Sequence, residues 1–343
     1  MEFFDIINQA AVTAAVRQLP EPPTTQFEQY LPDNTVASIE FEIERITDNN
    51  RAARFRSYDA PVEIGPGPSL VRTAGEIPAL GEGYLVGEYK RLLEEQLRGA
   101  DISDALLAAA LNKAARGFAR IKNRMELARG QVLSTGKFTL EGEGRLHLEA
   151  DFGVPEANFV MPTVDWSASS DISGEIAEWA ALAEIAPDVM LVGDLALPKI
   201  LKSEELRNQY GNAYGAPNGL NVEQANTALA GRGLPRIVPV RRTRIEVPDP
   251  ETGAYTATDT FPRYGISMFP AGFIGETKWG TTFEALEMAA AGMIEATEAP
   301  GLVATVMREG NPGKVFTVVN AVGIPTLDNP ASLVFANVDP AAN

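Results

Sequence analysis

The most sustained pattern of apolar and polar positions in the chain predicts one long helix. Leu107, Leu111, Ala114, Phe118, Ile121, Met125 and Ala128 recur at alternating intervals of four and three, a single apolar stripe. Ser103 is a suitable N-cap, and Gly130 is suited to the position just past the last turn. A helix of about 26 residues spans roughly 39 Å at ~1.5 Å per residue. The stripe is expected to pack on a sheet rather than in a coiled coil, which makes the helix a structural spine. Its core residues are Leu107, Leu111, Phe118, Ile121 and Met125. A shorter helix, Tyr89 to Leu97, leads into it across Gly99.

Period-two alternation marks other segments. Ala37, Ile39, Phe41 and Ile43 interleave with Ser38, Glu40, Glu42 and Glu44, a strand with one wet face. The alternation accounts for these acids without a metal. Phe138, Leu140, Leu146, Leu148 and Ala150 flank Glu141-Gly142-Glu143-Gly144 and predict a hairpin, with His147 turned outward beside Arg145 and Glu149. Residues 4–18, with Ile6, Ile7, Ala10, Ala11, Ala14 and Val16, predict a short amphipathic helix. Pro20, Pro22 and Pro23 then break it, so this piece reads as an arm and not as a core element.

Residues 48–83 have a different texture. Asp48-Asn49-Asn50, Gly65-Pro66-Gly67-Pro68, Gly75, Pro78, Gly81 and Gly83 leave little room for helix, while Phe55, Tyr58, Val62, Ile64, Leu70 and Val71 suggest short strands. A helix-free excursion of this length is unusual inside a compact domain. Packing against a neighbouring chain fits it best.

From Asp171 the pattern becomes α/β. Helices are expected at Ser173–Ala186, Ala196–Ser203 and Val222–Leu229, with Pro198 tolerated in a first turn and a Gly/Asn-rich loop around Gly211–Gly219. Strands are expected at Val189–Val192, Arg236–Val240 and Gly265–Phe269, with a ribbon of Arg242–Val247 and Tyr255–Thr260. After Ala291 the chain returns to β at Val303–Val306, Val315–Val319 and Leu333–Val338.

Composition narrows the chemistry. The 343 residues carry 46 Asp and Glu against 29 Lys and Arg, a net charge of −17, with 45% hydrophobic residues. That is the profile of a folded globular chain long enough for two structural units. There is no cysteine, which excludes disulfides, thiolate nucleophiles and Cys-held metals, and the lone His147 excludes a two-histidine site. No apolar run approaches the ~18 residues of a membrane span. The opening Met1-Glu2-Phe3-Phe4-Asp5 is acidic where a secretory signal is basic, so a cytosolic protein is expected. An acidic chain is not a dedicated nucleic-acid binder. Its basic residues nonetheless cluster, at Arg45, Arg51, Arg54, Arg56 and Arg72 and at Arg236, Arg241, Arg242 and Arg244. Solvated faces are the simpler account; pairing with acidic surface on the next copy is the sharper one.

No enzyme signature survives inspection. A Walker-type phosphate loop and a Gly-x-Ser-x-Gly elbow are both absent, and Gly81-Glu82-Gly83-Tyr84-Leu85-Val86-Gly87 reads as loop, not as a dinucleotide site. Asp165-Trp166 or Glu178-Trp179 could serve carboxylate catalysis, but a loop anchor and a packed helix explain them more simply. No catalytic, cofactor-binding or metal site is assigned.

Several short segments punctuate this order of parts: Gly75-Glu76-Ile77-Pro78, Gly136-Lys137-Phe138-Thr139-Leu140, Val164-Asp165-Trp166, Gly280-Thr281-Thr282-Phe283-Glu284-Ala285-Leu286 and Pro325-Thr326-Leu327-Asp328-Asn329-Pro330. With them, the order of parts resembles the major capsid proteins of tailed bacteriophages, specifically the lambda-like major capsid protein E family. The similarity runs from about residue 25 to 340, and order and spacing carry it more than any one motif. It implies the HK97-type fold, of α+β class. The implied parts are an N-terminal arm (1–37), an E-loop (38–85), a peripheral domain with the spine helix and hairpin (86–170, rejoined by 290–343) and an axial α/β domain (171–289).

It implies further a structural protein, not an enzyme, that self-assembles as hexamers and pentamers into an icosahedral head shell enclosing phage double-stranded DNA without sequence-specific contacts. The shell would be the virion capsid, assembled in the host cytoplasm. Decoration, scaffolding and portal proteins are further partners of such shells. No membrane and no cofactor are implied, and no isopeptide cross-link is expected, since 48–83 holds no lysine. Arm and E-loop would lie across neighbouring subunits, with Arg51, Arg54, Phe55, Arg56, Tyr58, Val62, Ile64, Leu70 and Arg72 as inter-subunit contacts. A non-viral encapsulin-type shell is the alternative within this fold, and a carboxylate-dependent hydrolase the alternative from another class.

Overall fold

The spine helix is longer than its apolar stripe predicts. In the computed structural model, which describes residues 9–47, 69–86, 102–141, 147–166, 171–214, 219–249, 252–272, 274–295, 299–309 and 314–339, helix α2 runs Ile102–Thr135, 34 residues. That is about 51 Å at ~1.5 Å per residue. Gly130 does not end it. A Cβ there would fall 1.7 Å from the Thr260 carbonyl oxygen, so this glycine serves a close approach of neighbouring backbone. The helix stops at Gly136, whose φ of 65° lies in the left-handed region that glycine adopts freely. Phe118, Ile121, Met125 and Ala128 are buried as expected and Leu111 is partly buried; the Leu107 side chain lies outside the described residues, as does the helix expected at 89–97.

The stripe packs on a five-stranded sheet, in the order β1 (Asp33–Thr35), β13 (Gly275–Trp279), β15 (Lys314–Leu327), β14 (Val303–Glu309), with β4 (Ala79–Val86) also paired to β15. The 14-residue β15 organises it. Residues 315–322 run antiparallel to β4, and 323–327 antiparallel to β13. The stretch 81–86, expected as loop, is therefore strand, because β15 offers it a full backbone ladder.

A second sheet, in the order β7 (Phe159–Val160), β16 (Val334–Asn337), β12 (Gly265–Phe269), β8 (Val189–Val192), β9 (Arg236–Pro239), carries four helices. These are α3 (Ile172–Ala180), α4 (Leu197–Leu201), α5 (Glu204–Tyr214) and α6 (Val222–Ala230). They close over a core that includes Ile176, Met190, Ile200, Leu229, Ile266 and Val334, with Trp166 stacked on Trp179 at 5.4 Å. Asn221 and Gln224 form a reciprocal capping box at the start of α6. Helix α5 replaces part of the loop expected near Gly211: Glu204 and Glu205 suit its first turn and Leu206 is fully buried, which outweighs the cost of one internal glycine, ~1 kcal/mol.

The two sheets exchange strands across the sequence. β13 joins the first sheet although it falls within 171–289, and β16 joins the second although it falls within 290–343.

Smaller units pack around these sheets. The hairpin β5 (Lys137–Glu141) and β6 (His147–Asp151) is antiparallel, as expected, with its 142–146 connection outside the described residues. The ribbon β10 (Arg244–Pro248) and β11 (Tyr255–Asp259) is also as expected. Helix α7 (Phe283–Ala290), capped by Thr282, was not anticipated.

Helix α1 (Gln9–Arg17) overturns the reading of that piece as lying outside the core. Val12 and Val16 are buried in the main core, while Ala11 and Ala14 face out. Thr13 Oγ1 donates to the Ala304 carbonyl at 3.0 Å and accepts from the Ala304 N–H at 3.2 Å. Arg17 donates to the carbonyls of Leu302 (2.7 Å) and Pro300 (3.1 Å). The helix thus satisfies backbone groups at the start of β14, which would otherwise be open pairing positions.

Candidate functional site

Two segments of the first eighty residues are held in opposite ways. The first, residues 19–33, runs back over the C-terminal half of α2 and is clasped by buried charge. The Glu126 carboxylate, fully buried, accepts the backbone N–H groups of Gln26 (2.6 Å) and Phe27 (2.8 Å). Arg129, also fully buried, donates to Thr277 Oγ1 at 2.9 Å and to Glu126 at 3.4 Å, and pairs with Asp33. Thr277 Oγ1 in turn donates to the Leu31 carbonyl at 2.8 Å. Lys122 bridges Asp33 (2.5 Å) and Glu21 (2.7 Å) and stands 5.5 Å from the Trp279 ring centre. Burial pushes the carboxyls of Glu126 and Glu28 above the ordinary carboxylate range. Burial alone would lower Lys122, but Asp33 and Glu21 outweigh it and hold the ammonium above its usual value. Charges buried this deeply persist only when paired and hydrogen-bonded, so the clasp fixes this segment to the spine.

Within the clasp, carboxylate oxygens of Glu21, Glu28 and Asp33 come within 4.8 Å of one another. The Lys122 ammonium already supplies positive charge there.

The second segment is the ribbon of β2 (Glu40–Thr47) and β3 (Ser69–Glu76). Its ladder runs from Glu40 opposite Glu76 to Thr47 opposite Ser69, about 26 Å at ~3.3 Å per residue. Among the described residues it pairs with no other strand. Its root is anchored: Phe41 is buried, 6.4 Å from the Phe152 ring, and Ile77 is buried, whereas Ile39 is 61% exposed. An isolated two-stranded ribbon is marginal in water and needs a surface to lie on. Its far end leads into 48–68. The predicted contact residues Arg51, Arg54, Phe55, Arg56, Tyr58, Val62 and Ile64 lie outside the described residues. Leu70 and Arg72 lie on β3 opposite Ile46 and Glu44, their side chains outside the described ones.

A cavity of about 530 Å³ separates the β10–β11 ribbon from α2 and the start of β4, lined by Ile121, Met125, Leu140, Ile245 and Val247 with Arg120 at its edge. Arg120 is paired with Glu82, and Arg242 and Arg244 share Asp259 at 3.1 and 3.3 Å, so part of the second basic cluster is neutralised within the chain.

Of the acids weighed for catalysis, Asp165 pairs with Lys199 at 2.8 Å and Glu178 is exposed on α3, while the carboxylate that Trp166 meets, at 2.5 Å, belongs to Glu175. His147 is exposed on β6 opposite Glu141. No described helix is long and apolar enough to cross a membrane.

Lys122, Glu126 and Arg129 were missed as a set. Their spacing of four and three repeats that of Ile121, Met125 and Ala128 one position round the helix, which was the available signal.

A family model described as phage major capsid protein E matches residues 8–338. The chain belongs to this family. Among solved structures, the fold is similar to a protein assigned as a prophage capsid protein from E. coli CFT073, with a TM-score of 0.63, 14% identity, and coverage of 97% of this chain and 99% of that one. A phage-related protein from Bordetella bronchiseptica RB50 gives 0.55 and 12% over 97% of each chain. The capsid of a native GTA particle gives 0.50 and 13% over 93% and 92%. No curated protein sequence matches. The fold of this family member is α+β and HK97-like, and the molecule is a structural protein of the virion capsid shell.

Proposed function

We propose that this capsid protein assembles as hexamers and pentamers into an icosahedral head shell around phage double-stranded DNA, with the β2–β3 ribbon and its 48–68 connection reaching across a neighbouring subunit. The observation that carries the reading is the ribbon itself: an eight-pair ladder that, among the described residues, is joined to neither main sheet and has Phe41 and Ile77 buried at its root. Laid on a neighbour, the ribbon's open backbone edges gain a surface to pack on. Contacts of this kind can each be weak, because closure of a shell multiplies them. In this assignment residues 1–37 are the arm, 38–85 the E-loop, 86–170 with 290–343 the peripheral domain and 171–289 the axial domain.

The charge supports a container rather than a binder. With a net charge of −17 the lining repels phosphate and leaves the genome mobile inside. Assembly in the host cytoplasm, with portal, scaffolding or decoration proteins as partners, completes the proposal.

The test replaces residues 50–66 by an Asn-Gly turn, which keeps the β2–β3 ladder. Electron microscopy of the expressed variant should show no closed shells, while circular dichroism and a cooperative melt show folded subunits. Normal shells from this variant would refute the assignment.

A further inference from the structure

Helix α7 is apolar on two faces. Ala285 and Met288 face inward, in a small cluster with Ala299 and Val303 on which Ile294 and Ala10 of α1 pack. Outward, Phe283 is 70% exposed and Leu286, one turn on, 55% exposed; Met293, just past the turn at Gly292, is also exposed. Single exposed apolar residues are ordinary, but two large ones stacked on one short helix with a third close behind form a patch that calls for a cover.

What lies nearest points to the occupant. Ala10 packs on the cluster that α7 shares with Ala299 and Val303, so Gln9, where the described chain begins, lies close to this helix. The eight residues ahead of Gln9, Met1-Glu2-Phe3-Phe4-Asp5-Ile6-Ile7-Asn8, hold five large apolar side chains and lie outside the described residues. The reach suffices. Passing from the inner to the outer face of a helix ~10 Å across takes roughly 16 Å, half its circumference. Eight extended residues span up to ~27 Å.

We propose that residues 1–8 of the same chain wrap α7 and seat Phe3, Phe4, Ile6 and Ile7 on its outward face. The segment that the sequence presents as an arm is then a cover over an apolar docking patch of its own subunit.

The chain contains no cysteine, so an engineered pair is read without interference. In dilute, unassembled subunits of the full chain, the double variant Phe4→Cys/Leu286→Cys should oxidise within one chain. Non-reducing electrophoresis would show a monomer, and intact mass after alkylation would show both thiols consumed. The control Phe4→Cys/Thr252→Cys, with its second thiol on the exposed tip of the β10–β11 ribbon, should keep both thiols free. Free thiols in the first pair, a disulfide only between two chains, or equal oxidation of the control would each overturn the proposal; the second result would assign the patch to another copy. As an independent readout, deleting residues 1–8 should raise the fluorescence of a bound apolar dye roughly two-fold or more, and Leu286→Glu in the deleted chain should reverse the rise. No rise on deletion would also overturn it.

Discussion

Residues 9–33 and residues 40–76 suggest the same thing in sequence, chain that leaves its own body, and the structure treats them differently. The first is fastened at both ends: Val12, Val16 and Thr13 against β14, and Glu126, Arg129 and Lys122 around its second half. Among the described side chains, the second meets the core at its root, through Phe41 and Ile77. Prolines at 20, 22 and 23 break a helix but do not decide where the chain goes next. The destination is set by which backbone groups and charges find partners. For 19–33 the partners lie on the same subunit's spine; for the ribbon, the described residues supply few beyond its own ladder.

The comparison can be broken hardest at Arg129. Arg129→Met leaves the buried Glu126 without its guanidinium and takes one cation from Asp33, and should cost about 3–5 kcal/mol of global stability, read as a large drop in the denaturation midpoint of unassembled subunits. A shift under ~1 kcal/mol would mean the clasp is ornamental and the first segment is held by apolar contact alone. Phe41→Ala attacks the other segment. Because the ribbon is anchored at its root, its loss should act locally. Limited proteolysis between residues 40 and 76 should accelerate about ten-fold, which corresponds to ~1.4 kcal/mol of local opening, while the global midpoint moves less than in Arg129→Met. Equal global losses in the two variants would erase the distinction between the segments.

The difference also explains what the sequence could disclose. The spine stripe was legible because one apolar face on one helix leaves a periodic trace, and Phe118, Ile121 and Met125 are buried accordingly. Its end was not, since a glycine that permits close backbone contact, Gly130, looks like one that terminates a helix, Gly136. The face of α1 was misjudged because alanines at 10, 11 and 14 carry little burial preference, whereas Thr13 is buried through hydrogen bonds to a strand edge. β13, with Glu276, Thr277 and Lys278 at its centre, showed no apolar pattern; its ladder to β15 and its Thr277 contact to Arg129 define it. The clasp was invisible for a related reason: hydrophobic periodicity does not register buried charge. The resemblance to capsid proteins rested on the order of parts, which survives strand exchange between the two sheets.

The finest distinction lies in how the clasp responds to pH. Burial raises the native Glu126 carboxyl above its unfolded value, so the folded chain keeps a proton there that the unfolded chain has already released. The stability this group contributes is therefore complete below the unfolded value and declines as pH climbs through the raised native one. Glu28 on the same segment acts with the same sign, whereas Asp151 and Asp194, held low, act with the opposite one: Lys137 lowers Asp151 against the effect of burial, and Arg263 lowers Asp194. Asp328, raised by burial, adds to the first sign, and a single wild-type titration would mix all five. Glu126→Gln removes one contribution and keeps an oxygen able to accept from Gln26 and Phe27. Urea midpoints of wild type and variant, measured side by side from acid to neutral pH, should diverge in the variant's favour as pH rises. Parallel curves, or divergence towards the wild type, would mean the Glu126 charge is stabilised in place by Arg129 and the two N–H groups and that burial does not govern it. The ribbon offers the internal contrast: with the clasp alone altered, protease cleavage between 48 and 68 should stay at the wild-type rate at every pH where the subunit remains folded.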